Sequence, residues 1–278
     1  MTSLEQIRQG ENALQGIQKL IQDVQEEKNH IDIPDRSDLK TDKIYLPDNP
    51  DGNVNVNGHW VHPMYARINN MMAQNESPII IIVGKEGKGK SMTALVLAHY
   101  LHDKLNLLRG SFDPEQQTVY RVIEFLLAER DTTRTALMFD EANETLNSSN
   151  FNSMMNKAVR GALRTQRKRE NVHIFVCPEY KKLDKGIRQK VDILIDMRAK
   201  QYAKVKSYQM KHGKRGNRGL DYNYTNYPDW AVPDVPESLQ KTYDEIDNQF
   251  KGSYLDDLLI NVLNERLEEL EEENTATL

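Results

Sequence analysis

The residues most able to do chemistry lie in one short run, Gly84-Lys85-Glu86-Gly87-Lys88-Gly89-Lys90-Ser91, directly after the apolar stretch Pro78–Val83. The spacing is G-x-x-x-x-G-K-S, and the strand before it is the context that this phosphate-binding loop requires. Gly84 and Gly89 let the backbone fold tightly, so that successive N–H groups aim at a β-phosphate. Lys90 neutralises the β/γ oxygens, and the Ser91 hydroxyl is a ligand for Mg²⁺. Residues Lys85 through Met92 therefore form an expected nucleotide cradle. Met92, Leu95, Leu97 and Leu101 predict the apolar face of the helix that follows.

A second acidic element matches the first. The apolar run Ala136–Phe139 ends in Asp140-Glu141. Asp140 is expected to hold the magnesium shell, and Glu141 to polarise an attacking water. A third stretch is rich in arginine. Arg160, Arg164 and Arg167 recur at i, i+4 and i+7 on a helix expected over Phe151–Lys168, so they share one face. Such a row suits a neighbour's γ-phosphate or a nucleic-acid phosphate.

Those groups need a frame. Short apolar strands at Pro78–Val83, Ala136–Phe139, Val172–Cys177 and Val191–Ile195 alternate with helical patterns, among them Val119–Glu129. This predicts a mostly parallel α/β sheet with helices on both faces. A helix over Met64–Met72 and a hairpin around Val54–Val61 precede the loop strand. Residues 201–226 read as a tyrosine-rich hairpin in which Tyr202, Tyr208, Tyr222, Tyr224 and Tyr227 either stack on bases or pack on the sheet. Residues 3–28 show near-heptad apolar spacing, and the chain beyond Pro236 is acidic and helical. The organisation expected is an N-terminal helix and loop extension at 1–62, a core at 63–232, and an acidic helical extension at 233–278.

The chain has 278 residues and a formal net charge of −5, and the charge is segregated. Lys157–Arg218 holds 19 Lys/Arg against 5 Asp/Glu, whereas Asp234 to the end holds 3 against 13. The basic segment suits a polyanion without sequence reading; the acidic one suits a protein partner. Cys177 is the single cysteine, which excludes an intrachain disulfide and suits a reducing compartment. No apolar run approaches the ~18 residues of a membrane span, and the first residues lack the basic and apolar regions of a signal peptide. A cytoplasmic setting is expected, that of a host if the chain is virus- or plasmid-encoded. His99 and His102 share a helix face, but no cysteine joins any histidine at zinc-ligand spacing.

Taken in order, the loop strand, the Asp140-Glu141 strand, the arginine-rich helix, the strand ending Val176-Cys177-Pro178, the Leu183-Asp184 and Ile187-Arg188 segment, and Val191–Arg198 resemble the FtsK/HerA superfamily of RecA-like DNA-pumping ATPases. Viral genome-packaging and Zot-type members belong to that group. The resemblance covers roughly residues 76–210. It implies the additional-strand P-loop fold, with one strand between the loop strand and the acidic strand. It also implies Mg²⁺ and ATP as cofactors, a hexameric ring that threads DNA, and a trans-acting arginine within Arg164–Arg169, with Arg167 or Arg169 favoured. One departure is visible: those families place a Gln at the end of the strand that here ends in Cys177, and Glu179 is the nearest polar residue.

Two other readings stay open at this level. One is a nucleotide-gated DNA-tethering or assembly protein with ATP as a structural ligand. The other is a P-loop kinase, against which the adjacent Asp140-Glu141 pair counts. A GTPase would need an Asp in the Asn156-Lys157 run, which lacks it. A two-lobed helicase would need a second core, for which the chain is too short.

Overall fold

The computed structural model describes residues 53–142, 146, 154–165, 169–210 and 222–252. All lie within the compact unit Thr41–Leu278. The helix expected over 3–28, the basic turn at 211–221, Arg167 and the tail beyond 252 fall outside the described residues.

The chain enters through a hairpin of β1 (Val54–Val56) and β2 (His59–Val61). Its two turn residues, Asn57 and Gly58, both take positive φ, 49° and 85°, as a tight two-residue hairpin turn demands. Helix α1 (Pro63–Ala73) starts where the His62 ring accepts from the Met64 N–H and Pro63 sets the first helical φ. Strand β3 (Ile79–Val83) is buried along its whole length. The loop at 84–89 then leads into α2 (Lys90–His99), which runs on as a π-helical turn at Tyr100–Lys104.

Next come α3 (Pro114–Gln117), β4 (Thr118–Val119), α4 (Val122–Asp131) and β5 (Ala136–Phe139). Helix α5 (Met154–Thr165) and β6 (Val172–Cys177) follow, then α6 (Lys185–Arg188) and β7 (Ile193–Ala199). Strands β8 (Tyr202–Met210), β9 (Tyr222–Asn226) and β10 (Trp230–Ala231) complete the sheet. Residues 237–252 form a final helix, α7.

The sheet order is β10-β8-β7-β3-β6-β5-β4, with β9 also on β8. The five strands β7, β3, β6, β5 and β4 are parallel; β8, β9 and β10 extend the β7 edge antiparallel. As expected, a single strand, β6, separates the loop strand β3 from the acidic strand β5.

Alternation along β3 explains why its sequence is continuously apolar. Ile80 and Ile82 point to one core with Leu95, Leu97, Met138 and Ile174. Ile79, Ile81 and Val83 point to the other, with Phe125, Phe139, Phe175 and Val159. Each buried Ile contributes about 1.5–3 kcal/mol relative to exposure. Val54, Val56 and Val61 of the hairpin and Met64, Tyr65 and Ile68 of α1 pack into the first core.

Two boundaries differ from the sequence expectation. The helix expected from Val119 begins at Val122, because Val119 pairs with Phe139 in the sheet. The Glu124 carboxylate then accepts from the Tyr120 and Arg121 N–H groups at 3.0 and 3.1 Å, which fixes the helix start. The strand expected at Val191–Ile195 runs from Ile193 to Ala199, because pairing with β8 carries it past the polar Asp196. Asp192 instead accepts from the Ile79 N–H at 2.8 Å.

His102 is buried between α2 and β5. Its Nε2 accepts from the Ala136 N–H at 3.0 Å, while Nδ1 faces the Arg109 and Gly110 carbonyls. Only a neutral ring fits both partners, and burial holds its pKa below the ordinary 6.5; His62 is shifted the same way for the same reason. The unfolded chain therefore binds more protons, and this stabilisation is lost as pH falls through 6.5. Denaturant midpoints measured from pH 7.5 to 5 should decline, and His102→Gln should make the decline shallower.

Gly84 continues β3 beside β7 at φ 152°. A Cβ there would lie 2.9 Å from Met197 Cβ and 3.0 Å from its carbonyl oxygen. Gly84→Ala should cost about 1–3 kcal/mol of folding stability, read by urea denaturation.

Candidate nucleotide-binding site

The parallel strands all release their carboxyl ends on one edge of the sheet, and that edge carries the site. At the end of β3, residues 84–89 curl back so that the Lys88 N–H reaches the Lys85 carbonyl at 3.3 Å. Gly89 takes the left-handed conformation, φ 79°, as the residue before α2, with no side chain capping the helix. The first N–H groups of α2 are thus directed at the loop, the arrangement that favours an anion. Lys90 Nζ lies over the loop, donating to the Lys85 carbonyl at 3.3 Å.

Asp140 and Glu141 stand at the end of β5, two strands away. Asp140 is only 2% exposed, and its backbone N–H is held by the Val119 carbonyl. Glu141 has φ 50°, an unusual value for a non-glycine residue, and its N–H donates to Asp140 Oδ1 at 2.9 Å. Burial raises the Asp140 pKa; hydrogen bonds from Tyr243 and Ser91 oppose that shift. Ser91 is therefore near enough to Asp140 to act on its carboxylate. These are hard oxygen donors, one neutral and one anionic, and such a set fits Mg²⁺.

Between loop and acids lies a cavity of about 510 Å³. One side is formed by Glu86, Gly87, Lys90, Ser91, Glu141 and Pro178, and the other by Tyr243, Asp244, Asp247 and Lys251 of α7. A second cavity, of about 310 Å³, opens beside Gly89, Met92 and Thr93. Val232, Pro233 and Val235 also line it, together with Lys200, Gln201, Asp234 and Gln240. Gly84, Gly87, Gly89, Lys90, Ser91, Met92 and Glu141 line one cavity or the other, or carry the loop between them. Lys85 and Lys88 shape the loop through their backbone.

At the end of β6, between the two site strands, Cys177 is fully buried. Its thiol is pushed up to about 12 by burial, with Lys90 acting in the opposite sense and Glu141 and Asp140 adding to the rise. Glu179 is exposed and paired with Lys182 at 3.2 Å, outside the cavity.

The arginines separate into different settings. Arg160 binds the buried Asp184 at 2.9 Å and so ties α5 to α6. Arg164 is exposed and lines a basic recess with Lys157 and Lys185. Arg169 precedes β6, at the amino ends of the parallel strands, where it donates to the Thr132 carbonyl. That is the edge opposite the loop. Among the hairpin tyrosines, Tyr208 and Tyr227 pack on the sheet, while Tyr224 is 58% exposed beneath the Lys206 ammonium.

Sequence reasoning missed Tyr243, Asp247 and Lys251, having assigned the acidic tail to partner or subunit contacts. A signal existed: Leu239, Tyr243, Ile246 and Phe250 follow an i, i+4, i+7, i+11 rhythm within an otherwise polar segment.

No family model and no curated protein matches the chain. Solved structures with partial likeness include the N-terminal domain of zonular occludens toxin from Neisseria meningitidis. It is 12% identical over 60% of this chain and 98% of that one, with a TM-score of 0.33. The genome-packaging NTPase B204 from Sulfolobus turreted icosahedral virus 2, in complex with sulfate, is 12% identical over 53% of this chain and 95% of that one, TM-score 0.34. The same NTPase with ATP-gammaS gives 16% identity over 43% and 74%, TM-score 0.30. The assignment rests on the chain's own strand order and loop, which are those of a RecA-like, additional-strand P-loop NTPase fold.

Proposed function

We propose that this chain is an ATP-hydrolysing motor that translocates or packages DNA. The observation that carries the reading is that the glycine loop, with Lys90 and Ser91, shares one cavity with Glu141, with the buried Asp140 carboxylate near Ser91. In this reading the loop N–H groups and Lys90 hold the β- and γ-phosphates. The base and ribose extend past Met92 and Thr93 into the cavity walled by Val232, Pro233 and Val235. Ser91 and Asp140 would hold Mg²⁺, which when bound offsets the phosphate charge. Glu141 is the base that orients and deprotonates the attacking water, and its fixed backbone gives it a defined reach.

The remaining parts are supplied by assembly. A ring, six-membered by the resemblance noted above, would bring an arginine from Arg164–Arg169 to the neighbour's γ-phosphate; Arg167 and Arg169 are the candidates. The basic surface within 157–218 would face DNA phosphates, including Arg164 and Lys185 at the recess and Lys204 and Lys206 on β8. The core at 63–232 would carry the ATPase, with 1–62 and 233–278 as extensions.

One observation favours a second reading, a nucleotide-gated tether with little turnover: a buried thiol, Cys177, stands where a polar γ-phosphate sensor is expected.

Lys90→Ala should weaken binding of a fluorescent ATP analogue by at least about tenfold. Glu141→Gln should bind it normally yet lose phosphate release by a factor of about 10² or more. Wild-type turnover should rise with added DNA, and DNA affinity should fall steeply with salt. Absence of turnover in the wild type with both single- and double-stranded DNA selects the tether instead.

A further inference from the structure

Helix α7 sits across the phosphate end of the site, held there by apolar packing and by one hydrogen bond to the acidic strand. Its inward face, Leu239, Tyr243, Ile246 and Phe250, recurs at helical spacing. Leu239 and Tyr243 pack on the first core, with Tyr243 only 3% exposed, and Phe250 stacks on Tyr120 with ring centroids 4.1 Å apart. The Tyr243 O–H donates to Asp140 Oδ2, and Tyr243 lines the same cavity as Ser91. Asp247 binds Lys251 at 2.6 Å, and both face the cavity together with Asp244.

The phenol thus takes up an Asp140 oxygen that a metal ion would use. A hydroxyl donating to that carboxylate oxygen and a cation bonded to it cannot share the position. Charge acts in the same direction. Docked α7 adds Asp244 and the Asp247–Lys251 pair to a cavity otherwise lined by Glu86 and Glu141 against Lys90. A triphosphate of about four negative charges is repelled by that set. The sheet connection ends at the Val232 N–H, bonded to the Gln201 carbonyl, and the first α7 bond runs from the Gln240 N–H to the Pro236 carbonyl. Among the described residues, 233–236 are the chain segment that joins the helix to the sheet, so it can lift without breaking a strand.

We propose that α7 is an intramolecular strap, with the Tyr243 hydroxyl seated on the Asp140 oxygen that a metal ion would use, and that strap docking and magnesium-nucleotide binding exclude one another. This rests on the reading of the site as one for magnesium and a nucleoside triphosphate. Nucleotide then binds only the undocked fraction, and apparent affinity is reduced by that fraction. Loss of the strap raises affinity without changing the phosphate loop.

The test uses the full chain in three forms: wild type, Tyr243→Phe, which keeps the ring and removes the hydroxyl, and Phe250→Ala, which weakens docking outside the cavity. Binding of a fluorescent non-hydrolysable ATP analogue is titrated with magnesium and with EDTA, and hydrogen exchange of the 237–252 amides is followed with and without the analogue. Both variants should bind about three- to tenfold more tightly than wild type. The Tyr243→Phe gain should be larger with magnesium than with EDTA. Saturating analogue should speed exchange across 240–250 in the wild type.

Equal or weaker binding by both variants, together with slowed exchange on ligand addition, makes α7 a fixed wall of the site and overturns the strap. If none of the three forms binds the analogue while Phe250→Ala alone speeds exchange, the nucleotide reading itself fails and the strap proposal falls with it.

Discussion

Everything at this site depends on a parallel register. Strands β3, β6 and β5 run side by side, with Ile81 opposite Phe175 and Phe175 opposite Phe139. That register makes the chain leave β3 and β5 at the same edge and at nearly the same height. A slip of one residue in either strand would exchange the faces of the sheet and withdraw Asp140 from Ser91. The two apolar cores penalise any such slip, because each β3 isoleucine would move from one packed surface to another. Core packing and site geometry are therefore set by the same alternation.

Two constraints then sharpen the site locally. Gly84 passes against Met197 with no room for a side chain, so the loop departs close to β7. Glu141 is held in a left-handed conformation while its N–H is spent on Asp140. Both are positions at which the backbone accepts an uncommon geometry next to charged groups, a pattern that accompanies functional sites. The Arg160–Asp184 pair, by contrast, is structural: a desolvated carboxylate that also caps α6 through the Gly186 and Ile187 N–H groups.

Much of this was legible in the residues. The glycine loop, the acidic pair and the short strands are local signals, and their order is enough to suggest the strand arrangement that the structure has. The parallel edge hid its boundaries better. Val119 reads as helical because its neighbours are, yet a two-residue pairing with Met138 and Phe139 draws Thr118 and Val119 into the sheet. The role of Arg160 could not be read, because its partner lies 24 residues away on another helix. The helix α7 was the largest miss. Its composition reads as a solvated acidic extension, and only the contact between Tyr243 and Asp140, 103 residues apart, places it over the site.

The central claim is that Ser91 and Asp140 act together on a metal-bound nucleotide. The most direct measurement is the affinity of the wild type, Ser91→Ala and Asp140→Asn for an ATP analogue, each taken with magnesium and with EDTA. The account predicts that magnesium tightens wild-type binding by about tenfold or more and that either substitution removes this gain. Equal affinity with and without magnesium in the wild type, or a gain that survives both substitutions, would contradict it.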